Sequence, residues 1–256
     1  MVIDAHDAFG DRHHLARSAG LTPHWFYTSR EEEGRGFDRA DMIIAIQDAE
    51  GQMFRQQTSA EVVTIEYSTP PALVSKALSG PIKVGYLGSL NPWNTKSLQI
   101  FDSLLASHPR KDELSARFSF LVFGGVCLAN DEYKVLQRMG PVDKVEHFYE
   151  DVDIVVNPMV GGTGLKIKTV EALAFGRLVL STASGGTGLE DIHPDICLDG
   201  LGALISRLEA VASREAALEQ GSEMFQRYMI FHNRTEQRID TMLDKLGFGI
   251  VKNQVA

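Results

Sequence analysis

Val152-Asp-Ile-Val-Val-Asn-Pro-Met-Val-Gly-Gly-Thr-Gly-Leu-Lys-Ile-Lys-Thr-Val-Glu-Ala-Leu-Ala-Phe-Gly176 reads as three parts in series. Ile154, Val155 and Val156 form an apolar run that stops at Asn157-Pro158, the pattern of a short buried strand in a parallel sheet. Gly161, Gly162 and Gly164 then make a turn that bulky residues would block. Residues 165–175 favour helix, and Gly176 is a natural stop. The unit is therefore strand, glycine loop, helix. Such a helix start offers unpaired N–H groups and a positive dipole end, in a loop bare enough for an anion to approach.

The side chains add to this. Lys166 and Lys168 fall in the expected first helical turn, where cations oppose the dipole, and a bound phosphate reverses that cost. Glu171 lies three residues after Lys168 on the same helical face. A carboxylate one turn from a phosphate accepts hydrogen bonds from ribose hydroxyls. The competing reading is a surface Lys168–Glu171 ion pair beside an ordinary turn.

Working outward, strands are expected at the start (Val2, Ile3) and at 42–46, 61–67, 82–87, 118–123 and 178–181. Helices are expected at 9–17, 30–39, 47–57, 94–107 and 131–139. Residues 142–149 read as a short strand or a turn of helix. From 200 to 246 the chain reads as largely helical, with a break near His232-Asn233. Ser29 to Glu32 spells a capping box. Pro70, Pro71, Gly80 and Pro81 mark a boundary, which divides the chain into 1–75 and 76–256. Alternating strands and helices imply parallel sheets with right-handed crossovers, so the fold class is α/β. Ligands of such sheets bind beyond the carboxyl ends of the strands. Gly88, Gly124, Gly161 to Gly164 and Gly185 to Gly188 all fall there, so the glycine turns should converge on one crevice.

Composition narrows the class. A chain of 256 residues with 44% hydrophobic and 23% charged residues is an ordinary globular protein with room for a sizeable core. A net charge of −9 without a basic cluster argues against nucleic acid as a partner. No apolar run reaches the length of a membrane span. Met1-Val-Ile-Asp4 lacks the basic lead of a secretory leader. Cys127 and Cys197 are too few for a disulfide framework, so a reducing cytoplasm is the expected setting. Asp151-Val-Asp153 has the spelling of a metal-binding DxD, yet it runs straight into the apolar strand, and a hard-metal site needs more oxygen ligands. His13-His14 are adjacent, hence about 100° apart on a helix, and poorly set to share a metal. No metal site is expected.

Residues 157–176, followed by Val179 and Gly185-Gly186, resemble the C-terminal nucleotide-sugar half of GT-B glycosyltransferases, closest to family 4 (glycosyl transferases group 1). Residues 82–90 resemble the first strand and loop of that half. Asp4-Ala-His6-Asp7, with Arg12 and Ala40-Asp41, resembles the late part of the N-terminal half. The resemblance implies two Rossmann-like parallel-sheet domains, the N-terminal one incomplete. It implies a retaining, metal-independent transfer of sugar from a nucleoside diphosphate sugar to an acceptor hydroxyl, with no other cofactor. The acceptor would be a glycan, a lipid-linked sugar or a small molecule, and the second of these fits peripheral membrane association. By the same resemblance Glu171 holds the ribose. The Gly161-Gly162-Thr163-Gly164 loop with Lys166 or Lys168 cradles the diphosphate. Gly88 and Ser89 face the sugar and phosphates, and Val142 and Val145 lie where backbone contacts the base. His6 and Asp7 face the cleft near the transferred sugar as catalytic candidates.

Two departures stand out. Many members carry a second glutamate eight residues before the ribose one, and that position here is Thr163. Residues 1–75 supply only about three strands, so a fragment, a truncated product or a form that needs a partner is expected. An epimerase on the same architecture and a non-catalytic nucleotide-sugar-binding module are the alternative functions. A nicotinamide dehydrogenase is more distant, since no GxGxxG follows the first strand of either half.

Overall fold

The computed structural model describes residues 1–74, 79–129 and 132–248. Two parallel sheets organise them. The first has the order β1 (Val2–Ala5), β2 (Met42–Ala45), β3 (Glu61–Thr64). Its crossovers carry α1 (Arg12–Ser18), α2 (Arg30–Phe37) and α3 (Asp48–Arg55). Its core is small: Ala5, Ala8, Phe37, Ile43, Ala45, Phe54 and Val62.

The second sheet is built from β4 (Ile82–Leu87), β5 (Phe118–Phe123), β6 (Gln137–Gly140), β7 (Ile154–Asn157) and β8 (Leu178–Ser181). Its order is β6-β5-β4-β7-β8, and every pairing is parallel. The chain first builds outward from β4 through β5 to β6, then returns to the other side of β4 for β7 and β8. Between β4 and β7 the winding reverses, which makes the switch point where α/β sheets bind ligands. The helices are α4 (Pro92–Ser107), α5 (Lys111–Arg117), α6 (Val145–Asp151), α7 (Ile167–Ala174), α8 (Gly200–Glu209) and α9 (Arg214–Lys245). All four residues of β7 and of β8 are buried, as continuous apolar strands require.

α9 ties the sheets together. Near its start Gly221 lies against the 176–178 backbone, where a Cβ would come within 2.6 Å of the Gly176 carbonyl. Tyr228 and Met224 are fully buried against the large core. Farther along, Arg238 donates to Glu66 at 2.6 Å and Arg234 at 3.2 Å, beside the small sheet. Glu66 is almost wholly buried, while the two arginines reach it from the surface and stay partly exposed.

Several expectations are corrected. Residues 132–140 form no helix; 137–140 are strand β6, and residue 131 lies outside the described residues. The cause is tertiary. The Asp102 carboxylate on α4 accepts the backbone N–H groups of Lys134, Val135 and Leu136 at 2.8–3.0 Å, which lines the segment up with β5. α9 runs unbroken through His232 and Asn233, with the His232 ring held by Ser68 at 3.0 Å. The helical break falls at 210–213 instead, where Ser213 caps α9 by accepting from the Ala216 N–H. α1 begins at Arg12 rather than Phe9, because the Glu33 carboxylate takes the Phe9 and Gly10 N–H groups. The third strand ends at Thr64, short of Tyr67. α5 was not anticipated. The division at 75/76 falls on residues 75–78, which lie outside the described residues.

Candidate functional site

The carboxyl ends of β4, β5, β7 and β8 share one side of the large sheet, and the small sheet's residues 6–25 face them. Between the two lies a crevice of about 400 Å³. Asp7, Arg12 and Trp25 line it from one side; Ser89, Trp93, Asn94, Gly162, Thr163, Lys166 and Lys168 line it from the other.

The loop after β7 is held rigidly from beneath. Asn157 donates its amide to Thr169 Oγ1 (2.8 Å) and to the Gly185 carbonyl (3.0 Å), and Thr169 also donates to Gly185. Thr182 donates to the Met159 carbonyl at 2.6 Å. These bonds join the loop, α7 and the turn after β8 into one unit, so loop positions are preorganised rather than adaptable. Two glycines are required by what sits against them. The Trp93 ring packs where a Gly161 Cβ would stand. Gly164 has φ +71, and a Cβ there would also crowd the Asp7 carboxylate at 3.0 Å.

Lys166 occupies the N-cap of α7 and is 9% exposed. Its amine donates to the Thr163 and Gly164 carbonyls, closing the loop on itself. Burial lowers its pKa, and Asp7 and Glu50 oppose that. Lys168 donates to Tyr86 Oη at 2.7 Å and Asn94 Oδ1 at 3.1 Å, with the Tyr86 ring centroid 4.4 Å away. Burial, then the charge of Lys166, brings its pKa down to about 7, with Glu171 pulling the other way. A surface Lys168–Glu171 ion pair is therefore not what forms; neutral oxygens hold this amine.

Glu171 accepts from Tyr149 Oη at 3.2 Å. Burial raises its pKa, the Tyr149 and Tyr67 hydroxyls lower it, and Glu146 raises it further. Glu146 lies beside Val145, the first residue of α6, so α6 opens close to Glu171. Val145 is exposed, while Val142 is partly buried on the large core. Gly88 is wedged against the Tyr86 ring and donates its N–H to the Phe123 carbonyl, which leaves Ser89 to face the crevice.

From the small sheet, Asp7 Oδ2 accepts from Arg12 Nη1 and from Thr163 Oγ1, both at 3.0 Å. His6 does not join it. Its side chain is 80% exposed, 3.5 Å from Asp4, and does not line the crevice. Asp153 is structural: its oxygens accept from the Lys83 N–H and Arg214 Nε, both at 2.8 Å. Among the described residues no group of three or more His, Cys, Asp or Glu is placed to hold a metal ion. Nor is any helix among them long and apolar enough to cross a membrane.

Tyr86, Asn94, Tyr149 and Tyr67 were not anticipated as site residues. Asn94 had a signal: Asn91-Pro92 starts α4, with Asn91 capping the Asn94 N–H at 2.9 Å, which aims that first turn at the crevice. The tyrosines come from within a strand, a helix and a connection, and nothing local marks them.

Two parallel sheets facing one crevice, with a glycine loop at the switch point of the larger, define the GT-B glycosyltransferase fold. Residues 81–217, more than half of the chain, match the family model described as glycosyl transferases group 1, and the chain belongs to that family. Among solved structures, the match to TarM has a TM-score of 0.69 at 15% identity and covers 95% of this chain and 49% of that one. A sucrose-phosphate synthase from Thermosynechococcus elongatus gives 0.72 at 15% identity, covering 96% and 67%. HepE from Anabaena, in complex with UDP and glucose, gives 0.66 at 14% identity, covering 95% and 71%. The chain thus spans about half of the length of TarM. At these identities the likeness is one of fold. No curated protein matches the sequence.

Proposed function

We propose that the crevice binds a nucleoside diphosphate sugar and that the protein transfers the sugar to an acceptor hydroxyl with retention of configuration, without a metal. The observation that carries this reading is the pairing of a preorganised loop and helix start with two amines, Lys166 and Lys168, whose hydrogen bonds among the described residues go to carbonyl, hydroxyl and amide oxygens rather than to carboxylates. Burial disfavours the charged form of both amines, and an arriving anion favours it, so a diphosphate is the ligand that offsets the burial. As the glycosidic bond breaks, negative charge builds on the departing diphosphate. Lys166, Lys168 and the α7 N-terminus are fixed in place to stabilise it. Glu171, steadied by Tyr149, accepts the ribose hydroxyls, and the backbone near Val142 and Val145 meets the base. Membership of the family supports the reading, as do fold relatives solved in complex with UDP or UDP-glucose and one that is a UDP-forming synthase. The acceptor is a glycan, a lipid-linked sugar or a small molecule reaching the crevice, and a reducing cytoplasm is the setting.

Thermal-shift measurement against a panel of nucleoside diphosphates tests it. One of them should raise Tm, and the matching sugar conjugate should release that nucleotide when acceptors are offered. Conversion of the conjugate to its sugar isomer would instead identify an epimerase, and binding without turnover a binding module.

A further inference from the structure

Two phenols from different parts of the chain meet at Glu171. Tyr149 belongs to α6, and its hydroxyl donates to the carboxylate at 3.2 Å. Tyr67 lies on the connection between the sheets, beyond the end of β3, and its hydroxyl is hydrogen-bonded to the same carboxylate. We propose that Tyr67 is a positioning residue for the ribose contact: fastened through its neighbours to α9, it holds the Glu171 carboxylate in the orientation that receives the ribose hydroxyls. This rests on the proposed function and extends it to a residue outside the five-stranded sheet and its crossovers.

The connection is strapped on both sides of Tyr67. Glu66 accepts from Arg238 at 2.6 Å and from Arg234 at 3.2 Å, and Ser68 bonds the His232 ring at 3.0 Å. The Thr69 N–H donates to Tyr228 Oη at 3.0 Å, and that hydroxyl donates back to the Thr69 carbonyl at 2.5 Å. All four partners stand on α9. With Glu66 and Ser68 turned to α9, Tyr67 between them is turned to α7. Farther on, the Ala72 and Val74 N–H groups donate to the Ala174 and Phe175 carbonyls at 2.9 and 3.4 Å, at the end of α7. That is the helix that carries Glu171.

Tyr149 is fixed independently. Its ring stacks on Phe175 with centroids 4.3 Å apart, and its carbonyl accepts from Nε of the fully buried Arg177 at 2.8 Å. The two phenols thus approach from separate supports, and a turn of the carboxylate loses one or the other.

The kind of donor matters as well. Lys168 is one turn before Glu171, yet it directs its amine to Tyr86 and Asn94. Were the carboxylate only a surface anchor, that amine would be its natural partner. Neutral hydroxyls orient a carboxylate without neutralising it. A carboxylate has about four lone-pair sites, so two phenols leave room for ribose hydroxyls. The groups facing Glu171 are Tyr149 and Glu146 of α6, Tyr67 of the connection and Lys168 of α7. Burial and Glu146 favour its neutral form; the phenols and Lys168 favour the charged one.

The test compares paired ligands on the full chain. UDP, GDP, ADP and CDP, each beside its 2′,3′-dideoxy counterpart, are titrated calorimetrically between pH 5 and 8 into wild type, Tyr67→Phe, Tyr228→Phe and Glu171→Ala. Tyr67→Phe keeps the ring that packs on the large core and removes only the hydroxyl. Wild type should prefer the ribose form of its best nucleotide, and Glu171→Ala should lose that preference. Tyr67→Phe should cut the preference about fivefold, what one hydrogen bond is worth, while the dideoxy form changes less than about twofold. Without the phenol the carboxylate is easier to protonate, so the preference should fade at a higher pH than in wild type. The ratio of the two ligands cancels proton uptake by the phosphates and by Lys168. Tyr228→Phe, which loosens the strap, should lower the preference in the same direction by less.

Equal losses for both ligands in Tyr67→Phe, an unchanged preference, or one that fades at the wild-type pH overturn the inference. An unchanged preference in Tyr228→Phe overturns the link to α9, and it decides the matter if Tyr67→Phe does not fold. No ribose preference in wild type, or one that survives Glu171→Ala, overturns the Glu171 contact and the inference with it, while the diphosphate site stands. No binding of any nucleotide overturns the proposed function itself.

Discussion

The two sheets treat buried polar groups differently. In the five-stranded sheet such groups are mostly saturated: Asp102 serves three backbone N–H groups, Asp153 serves Lys83 and Arg214, and Thr169 and Thr182 bond into the loop. In the three-stranded sheet, Asp7 Oδ1, Glu33 Oε2, Gln47 Oε1 and Glu50 Oε2 are buried with no hydrogen-bond partner. The cores differ in the same direction, one extensive and the other limited to a few residues. The large sheet is a scaffold whose polar groups hold it together. The small one carries polar groups whose positions stability alone does not explain, clustered behind the crevice. Strain of that kind is what a binding wall tolerates.

Variants can break or sharpen this contrast. The largest effect is expected for Asp102→Ala, which strips three buried N–H groups of their acceptor and undocks β6 from β5. Urea unfolding should show a loss of about 3 kcal/mol or more. A loss below about 1 kcal/mol would show that the large sheet does not depend on its saturated groups. Next, Glu171→Ala should weaken nucleoside diphosphate binding by about 2 kcal/mol in a calorimetric titration. Unchanged affinity would place the ribose contact elsewhere.

Glu50 probes the other sheet. Burial raises its pKa to about 7, Asp7 adds to that, and the Gln47 amide, the Ala8 N–H and Lys166 oppose. The folded protein therefore holds a proton that the unfolded chain gives up. The stability this contributes is fully present below about pH 4.5 and is lost as pH rises through about 7. Glu50→Gln cannot lose the proton, so it should be about 2 kcal/mol more stable than wild type at pH 8 and equal to it at pH 4. Equal stability at both pH values would mean that the small sheet carries no such tension. The smallest effect is expected at His6, which is largely exposed. His6→Ala should change both stability and nucleotide affinity by less than about 0.5 kcal/mol. A larger loss of affinity would bring His6 back to the crevice.

Much of the large sheet was legible in its letters. Ile154 to Gly176 spells strand, loop and helix locally, and the observed β7, α7 and positive φ of Gly176 follow that order. Residues 132–140 were not legible, since their state is decided by Asp102, more than 30 residues away. The same limit applies to the site. Glycines and lysines on one loop announce an anion, whereas Tyr86, Asn94 and Tyr149 matter only because folding brings them to Lys168 and Glu171. The pairing of Asp7 with Thr163 joins residues 156 positions apart and belongs to the assembled crevice. His6 and Asp7 read as equals in the sequence, and only their unequal exposure in the fold separates them.

On the proposed function, the loop after β7 and the start of α7 should bind a nucleoside diphosphate through Lys168. Calorimetric titration of the full chain and of Lys168→Ala with a panel of nucleoside diphosphates tests it most directly. One nucleotide should bind wild type saturably and bind Lys168→Ala about tenfold or more weakly. Binding that is indifferent to Lys168→Ala, or no binding by wild type, would contradict the account.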